Sequence, residues 1–223
     1  MKKRLKLNIF WLVLLLAIYG VLYAAYSSGL VNLFIDNIIV TIGINIILAV
    51  GLNLVIGFSG QFSLGHAGFM AIGAYCGSLF AMNNPTMGGF FTGIVVGILL
   101  SSVVALVVGI PTLRLKGDYL AIATLGVAEI IRIAIVNMES ITNGPSGLFG
   151  IPSFVNWPLV YGFVIVTTLI TVNYIHSGAG RVTMGIRDDE IAAESMGVNT
   201  TKYKVIAFVI GAATASIAGA LSA

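Results

Sequence analysis

Seven long apolar stretches run along this chain, at residues 8–26, 37–56, 64–82, 90–110, 119–137, 158–176 and 205–223, with short polar clusters between them. Each is close to the roughly 20 residues that a helix needs to cross about 30 Å of hydrocarbon at about 1.5 Å per residue. Each is also about twice the length of a barrel strand and lacks alternating polarity, so helix is expected over strand. The pattern predicts an all-α, polytopic transmembrane helix bundle of about seven spans. We expect a single transmembrane domain over residues 1–223, in which 177–204 form a cytoplasmic loop.

Composition supports lipid as the solvent. Hydrophobic residues make up 58% of the 223 positions and charged residues 9%, against about 25% charged in a soluble domain. The polar residues are too few and too clustered to coat a globule. The formal charge of +3 arises from Lys and Arg grouped at a few positions, which sets a nucleic-acid partner aside. The single cysteine, Cys76, excludes an intramolecular disulfide and reads as a small packing residue.

The basic residues orient the chain, since Lys and Arg of short loops are retained on the cytoplasmic side. Lys2, Lys3, Arg4 and Lys6 place the amino terminus inside, and seven crossings then put Arg114, Lys116, Arg181, Arg187, Lys202 and Lys204 in inside loops. The outside loops at 27–36, 83–89 and 138–157 hold neither Lys nor Arg. Trp11, Tyr119, Trp157 and Tyr203 fall near span ends, where amphipathic rings favour the interface. The first apolar run exceeds the 7 to 15 residues usual for a signal-peptide core, so an uncleaved anchor is expected. Asn199 opens a glycosylation sequon on the predicted inside face, where it is coincidental. The last apolar run reaches Ala223 with no polar residues after it, which fits a carboxylate at the far interface or a longer parent chain.

Charge concentrates between residues 177 and 204. Residues 187–197, Arg-Asp-Asp-Glu-Ile-Ala-Ala-Glu-Ser-Met-Gly, read as one short helix with acidic residues at its positive end and Gly197 as its stop. Ile186, Ala193, Met196 and Gly197 would share a narrow apolar face. A helix this short is marginal alone and needs a surface to pack on, its own membrane domain or a partner.

Two further places carry polar chemistry. From Gly57 to Gly68, glycines with Ser59, Gln61, Ser63 and His66 interrupt the apolar pattern. Non-helical backbone at membrane depth is tolerated only where protein or a watery cavity satisfies it. The segment is therefore either a broken, re-entrant piece lining a path or a tight inside turn. His66 is a packing histidine or a proton relay. Glu129 and Arg132 lie three residues apart near the middle of the fifth span, hence on one helical face. They form a structural ion pair, or contact the zwitterionic head group of an amino acid. Gly73 with Gly77, and Gly93 with Gly97, give small-residue faces that permit close helix packing.

These residues resemble a family. Glu190, Ala192, Ala193 and Gly197 are similar to the Glu-Ala-Ala, three residues, Gly loop of ABC importer permeases, with Ile191 inserted after the Glu. The wider text, Gly180-Arg181, Gly185 to Glu194 and Met196-Gly197, is similar to the loop of branched-chain amino-acid permeases. So are Gly51 to Gly68, Leu113 to Gly126, Glu129 to Arg132 and Thr142 to Pro145. Together they resemble the M-type subunit and cover most of the chain, although members of that type extend beyond a position like Ala223.

The resemblance implies a multi-pass permease of the bacterial cytoplasmic (inner) membrane for branched-chain amino acids. Its coupling helix would be Asp188, Asp189, Glu190, Ile191, Ala192, Ala193, Glu194, Met196 and Gly197, seated on a cytoplasmic ATPase. Gly60, Gln61, Ser63, His66, Glu129 and Arg132 are candidates for the translocation path. Implied partners are membrane lipid, a homologous H-type permease, two ABC ATPases and an extracytoplasmic binding protein, with no nucleic acid. No cofactor is expected on this chain, since it lacks a Gly-rich Lys-Ser/Thr loop; ATP and Mg would sit on the ATPases. Alternatives are a permease for urea or short amides, or a proton-coupled secondary transporter using Glu129 or His66. An intramembrane enzyme lacks paired carboxylates, His-Glu-x-x-His and Gly-x-Ser-x-Gly.

Overall fold

A computed structural model describes residues 2–29, 31–115 and 117–223, with the side chains of 2–10 and 12 outside the described set. The orienting cations Lys2, Lys3, Arg4, Lys6 and Lys116 therefore lie outside the described residues or side chains. Every regular element among the described residues is helical. In chain order they are α1 (Lys2–Ser27), α2 (Leu33–Asn53) running into a π-helical turn (Leu54–Phe58), α3 (His66–Asn83), α4 (Met87–Thr112) and α5 (Asp118–Asn137). There follow α6 (Glu139–Thr142), a 3-10 turn (Gly144–Ser146), α7 (Trp157–His176), α8 (Gly178–Asp188), α9 (Glu190–Ser195) and α10 (Thr200–Ser222).

Each predicted run is helical, but the expectation of about seven spans is not fully met. Among the described residues, five helical segments are long and apolar enough to cross a membrane: Leu33–Phe58, Met87–Thr112, Asp118–Asn137, Trp157–His176 and Thr200–Ser222. At the amino end, the apolar helix among the described residues is the shorter Val13–Ser27. Helix α3 has 18 residues, and His66, Asn83, Ser78 and three glycines, Gly68, Gly73 and Gly77, dilute its apolar character.

The chain divides into two compact units, Met1–Val40 and Thr41–Ala223. In the first, the Tyr26 hydroxyl donates to the Asp36 carboxylate, and the Asn32 side chain accepts from the Ile35 N–H at 3.0 Å to cap α2.

In the second unit α10 is the central helix. Its span is 72% buried, while the other four are between 17% and 33% buried. α3 and α4 pack on it and on each other, and α5 lies on α3. Small residues permit this approach. A Cβ built on Gly73 would sit 1.9 Å from the Ser216 carbonyl oxygen, and one on Gly219 1.9 Å from that of Met70, so the α3 and α10 backbones touch directly. Gly77 faces Ala220, while Gly93 and Gly97 of α4 face Cys76, Gly77 and Gly73 of α3. The two glycine faces read from sequence thus gain definite partners. Around this contact Phe69 and Phe208 meet edge to face at 5.5 Å, and Ser101 donates to the Ala212 carbonyl at 3.0 Å. Outward positions such as Leu99, Val107, Ile122 and Leu169 are exposed and apolar. That is the arrangement of a protein whose surroundings are hydrocarbon.

Candidate functional site

The candidate residues fall in three places within the Thr41–Ala223 unit. The first is the break between α2 and α3. After the π-helical turn, residues 59–65 alternate inward and outward. Ser59, Gln61 and Ser63 are buried, while Phe62 and Leu64 are exposed. Polar groups turn into protein and apolar ones turn out, the reverse of a soluble loop. The buried polar groups find partners far along the chain. The Gln61 amide nitrogen donates to Ser59 Oγ and to the Lys204 carbonyl at 3.0 Å. The Leu64 N–H donates to Thr124 Oγ1 of α5 at 3.0 Å. Gly60 holds φ +68, and a Cβ there would lie 2.6 Å from Arg187 Cγ. Such a φ is costly for any residue with a side chain.

His66 opens α3. It lines a small crevice with Leu52, Val55, Ser63, Phe69, Phe208 and Ala212. Among the described residues, its Nε2 and the Gln61 Oε1 are buried without a hydrogen-bond partner. These two polar atoms are the chemical handles of this region.

The second place is the charged hairpin. The helix read over 187–197 is in fact two. α8 ends at Asp188, and Asp189 adopts extended geometry (φ −153) as the N-cap of α9, accepting from the Ala192 N–H at 2.9 Å. An acidic run offers several caps, and the one used sets the break. α9 ends at Ser195, the chain turns at Gly197 with φ +81, and the Val198 N–H closes back onto the Ala193 carbonyl at 3.1 Å. The proposed common apolar face is not formed. Ile186 is buried on α8, whereas Ile191 and Met196 are 73% and 84% exposed. The hairpin is braced by Lys204 Nζ to Glu190 Oε1 at 2.6 Å, where both side chains are largely buried. Thr200 Oγ1 also donates to Glu194 Oε1 at 3.0 Å. Arg187 forks onto Asp188 Oδ1 at 2.9 and 2.7 Å and donates to the Gly57 carbonyl at 3.0 Å.

The third place is α5. Arg132 grips Glu129 through two bonds, at 2.9 and 2.5 Å. Both side chains are more than half exposed (65% and 51%), on a face shared with Ile122, Leu125 and Ile133. The two polar regions are therefore separate: Gln61, Ser63 and His66 lie inside the packed unit, and Glu129 and Arg132 lie on its outer surface. Two positions not singled out from the sequence complete the set. Thr124 and Lys204 hold the broken segment, yet their partners lie 60 and 143 residues away in the chain. No local pattern announces such bonds. Among the described residues no cluster of His, Cys, Asp or Glu is suited to a metal ion.

A packed helical core with an apolar exterior, a polar break and a capped charged hairpin defines a multi-pass membrane protein. Residues 34–223 match the sequence model of one family, and the chain belongs to it: branched-chain amino acid transport system, permease component. Relatives include the high-affinity branched-chain amino acid transport system permease protein LivM of Salmonella typhimurium, 39% identical over 190 aligned positions covering 70% of this chain and 44% of the relative. The Escherichia coli protein of that name is 35% identical over the same shares. A probable LivM of Methanocaldococcus jannaschii is 27% identical over 63% of this chain and 46% of its own. The chain thus spans less than half the length of the curated relatives it matches. No solved structure matches it.

Proposed function

We propose that this chain is part of the transmembrane permease of an ATP-binding-cassette importer in the cytoplasmic membrane. It would move branched-chain amino acids and carry no catalytic chemistry or cofactor of its own. The observation that carries the reading is α9. Its two ends are capped, Glu190 is braced to Lys204, and Ile191 and Met196 stand exposed at its side and end. A helix of six residues is too short to be stable alone, so a rigidly held one with apolar side chains outward fits docking onto another protein. The names of the relatives supply the transport system to which such a partner belongs.

Residues 188–197 would seat on a cytoplasmic ATPase, one of two, with ATP and Mg held there. A homologous H-type permease would complete the pore, and an extracytoplasmic binding protein would deliver substrate. Gly60, Gln61, Ser63 and His66, with Glu129 and Arg132 on the exposed α5 face, are the residues assigned to the path. The Glu129–Arg132 pair matches the head group of an amino acid in charge, carboxylate against guanidinium and ammonium against carboxylate.

The test is uptake into proteoliposomes holding the full-length chain, the second permease and the ATPases, with binding protein outside. Leucine should accumulate only with ATP inside, and urea should not. Uptake that survives ATP depletion but collapses with a protonophore would overturn the proposal.

A further inference from the structure

The broken segment and the charged hairpin are joined by two independent bridges. In the first, Arg187 at the end of α8 donates from Nη1 to the Gly57 carbonyl at 3.0 Å, while its Nε and Nη2 hold Asp188 Oδ1 at 2.9 and 2.7 Å. Gly57 lies within the π-helical turn, where the i→i−4 ladder is already interrupted and carbonyls are free to accept elsewhere. Gly60 lets the loop lie against the Arg187 stem, because any Cβ there would meet Cγ at 2.6 Å. In the second bridge, Glu190 of α9 pairs with Lys204 Nζ at 2.6 Å. The backbone carbonyl of the same Lys204 accepts from the Gln61 amide at 3.0 Å. Asp188 and Glu190 flank Asp189, the extended residue at which the two helices hinge.

We infer that Arg187 and the Glu190–Lys204–Gln61 chain are positioning elements that transmit displacement of α9 to the broken segment at residues 57–63, where the π-helical turn gives way to non-helical chain, and so to the crevice at His66. The inference rests on the proposed function for what moves α9; the linkage itself rests on the bonds. Two tethers give the segment two fixed points, Gly57 at its start and Gln61 four residues on. A tilt of α9 about Asp189 pulls them unequally. The Ser59 and Gln61 N–H groups tie the start of the segment back to the Leu54 and Val55 carbonyls at 3.1 and 3.0 Å, and residues 62–64 lie beyond those bonds. Past Gln61 the segment is anchored to Thr124 on α5, which accepts from the Leu64 N–H. The segment therefore bends between the hairpin and α5 instead of moving as a rigid helix end.

The experiment uses the assembled transporter and reads hydrogen exchange at the backbone amides of residues 59–64 in lipid nanodiscs, together with uptake per ATP hydrolysed in proteoliposomes. Arg187→Ala and Lys204→Met should each raise exchange in that segment about tenfold or more and lower uptake per ATP by a similar factor. Copurification with the ATPases and their hydrolysis rate should stay within about twofold of the parent. Glu190 also belongs to the docking helix, so for it the readout is exchange alone: Glu190→Lys should raise exchange in 59–64 as Lys204→Met does, and adding Lys204→Glu should restore it. This paired exchange keeps the test decisive even where a single variant folds poorly. Unchanged exchange in both single variants overturns the linkage, as does a loss of uptake that merely tracks lost ATPase binding. A parent complex that accumulates nothing at the expense of ATP sinks the importer reading, while the exchange comparison still decides the linkage.

Discussion

Glycine here has two separate uses, and substitution distinguishes them. At Gly60 the backbone is left-handed at φ +68 and the neighbouring Arg187 stem occupies the space of a side chain. Gly60→Ala should cost about 1–2 kcal/mol from the backbone alone, and it also displaces a guanidinium that holds the Gly57 carbonyl. At Gly73 the backbone is ordinary helix but the Ser216 carbonyl lies 1.9 Å from where Cβ would be. Gly73→Ala must push α3 away from α10, a change of the overpacking type that costs about 1–3 kcal/mol. Gly126 of α5 has nothing within 4 Å, so Gly126→Ala should be neutral or stabilising by up to about 1 kcal/mol. Thermal unfolding of the three variants in one detergent checks the order. A Gly73→Ala protein as stable as Gly126→Ala would mean that the α3–α10 contact is looser than the structure has it.

Among the elements, α9 shows how a few capping bonds set the geometry of a surface. Asp189→Ala removes the acceptor for the Ala192 N–H and should cost about 1 kcal/mol of local stability, while Asp189→Asn should retain most of it. The expected readout is faster amide exchange in 190–195 for the Ala variant only, with weaker ATPase capture in pull-down. Equal behaviour of the two variants would assign Asp189 a charge role instead. Five of the seven predicted spans were legible in the sequence, because an apolar run of about 20 residues has few alternatives in lipid. Helix ends fell within a few residues of the run ends. The break at Asp189 was not legible, since Asp188, Asp189 and Glu190 are all plausible first-turn or capping residues and only packing selects among them. The inward polar stripe of Ser59, Gln61 and Ser63 was visible as polarity out of place. What satisfies it, a carbonyl at Lys204 and a hydroxyl at Thr124, is tertiary information. Likewise the spacing of Gly73 and Gly77 announced a close approach without saying that α10 makes it.

For the Thr41–Ala223 unit as a whole, the telling feature is the ion pair on its outside. A charged side chain at the centre of a membrane helix costs about 2.5–3.5 kcal/mol on insertion scales, and pairing Glu129 with Arg132 reduces that cost without abolishing it. Both side chains are exposed in the chain by itself, and their face continues through Leu125 and Ile122. Facing lipid is the least favourable position for such a pair, so in the assembled protein this face should border water or protein. The outer face of α4, where Val107 is exposed among apolar neighbours, has no such demand. In a Cys76→Ala background that removes the native thiol, Leu125→Cys should therefore react with a charged, water-borne thiol reagent in the full-length transporter, and Val107→Cys should not. If the second permease closes over α5, the Leu125→Cys reaction should slow on assembly, and a bifunctional reagent should capture that subunit. Should Leu125→Cys and Val107→Cys prove equally inert both alone and assembled, the α5 face would be lipid-facing. Glu129 and Arg132 would then be a self-neutralising structural pair, leaving the buried polar break near His66 as the remaining candidate for the path.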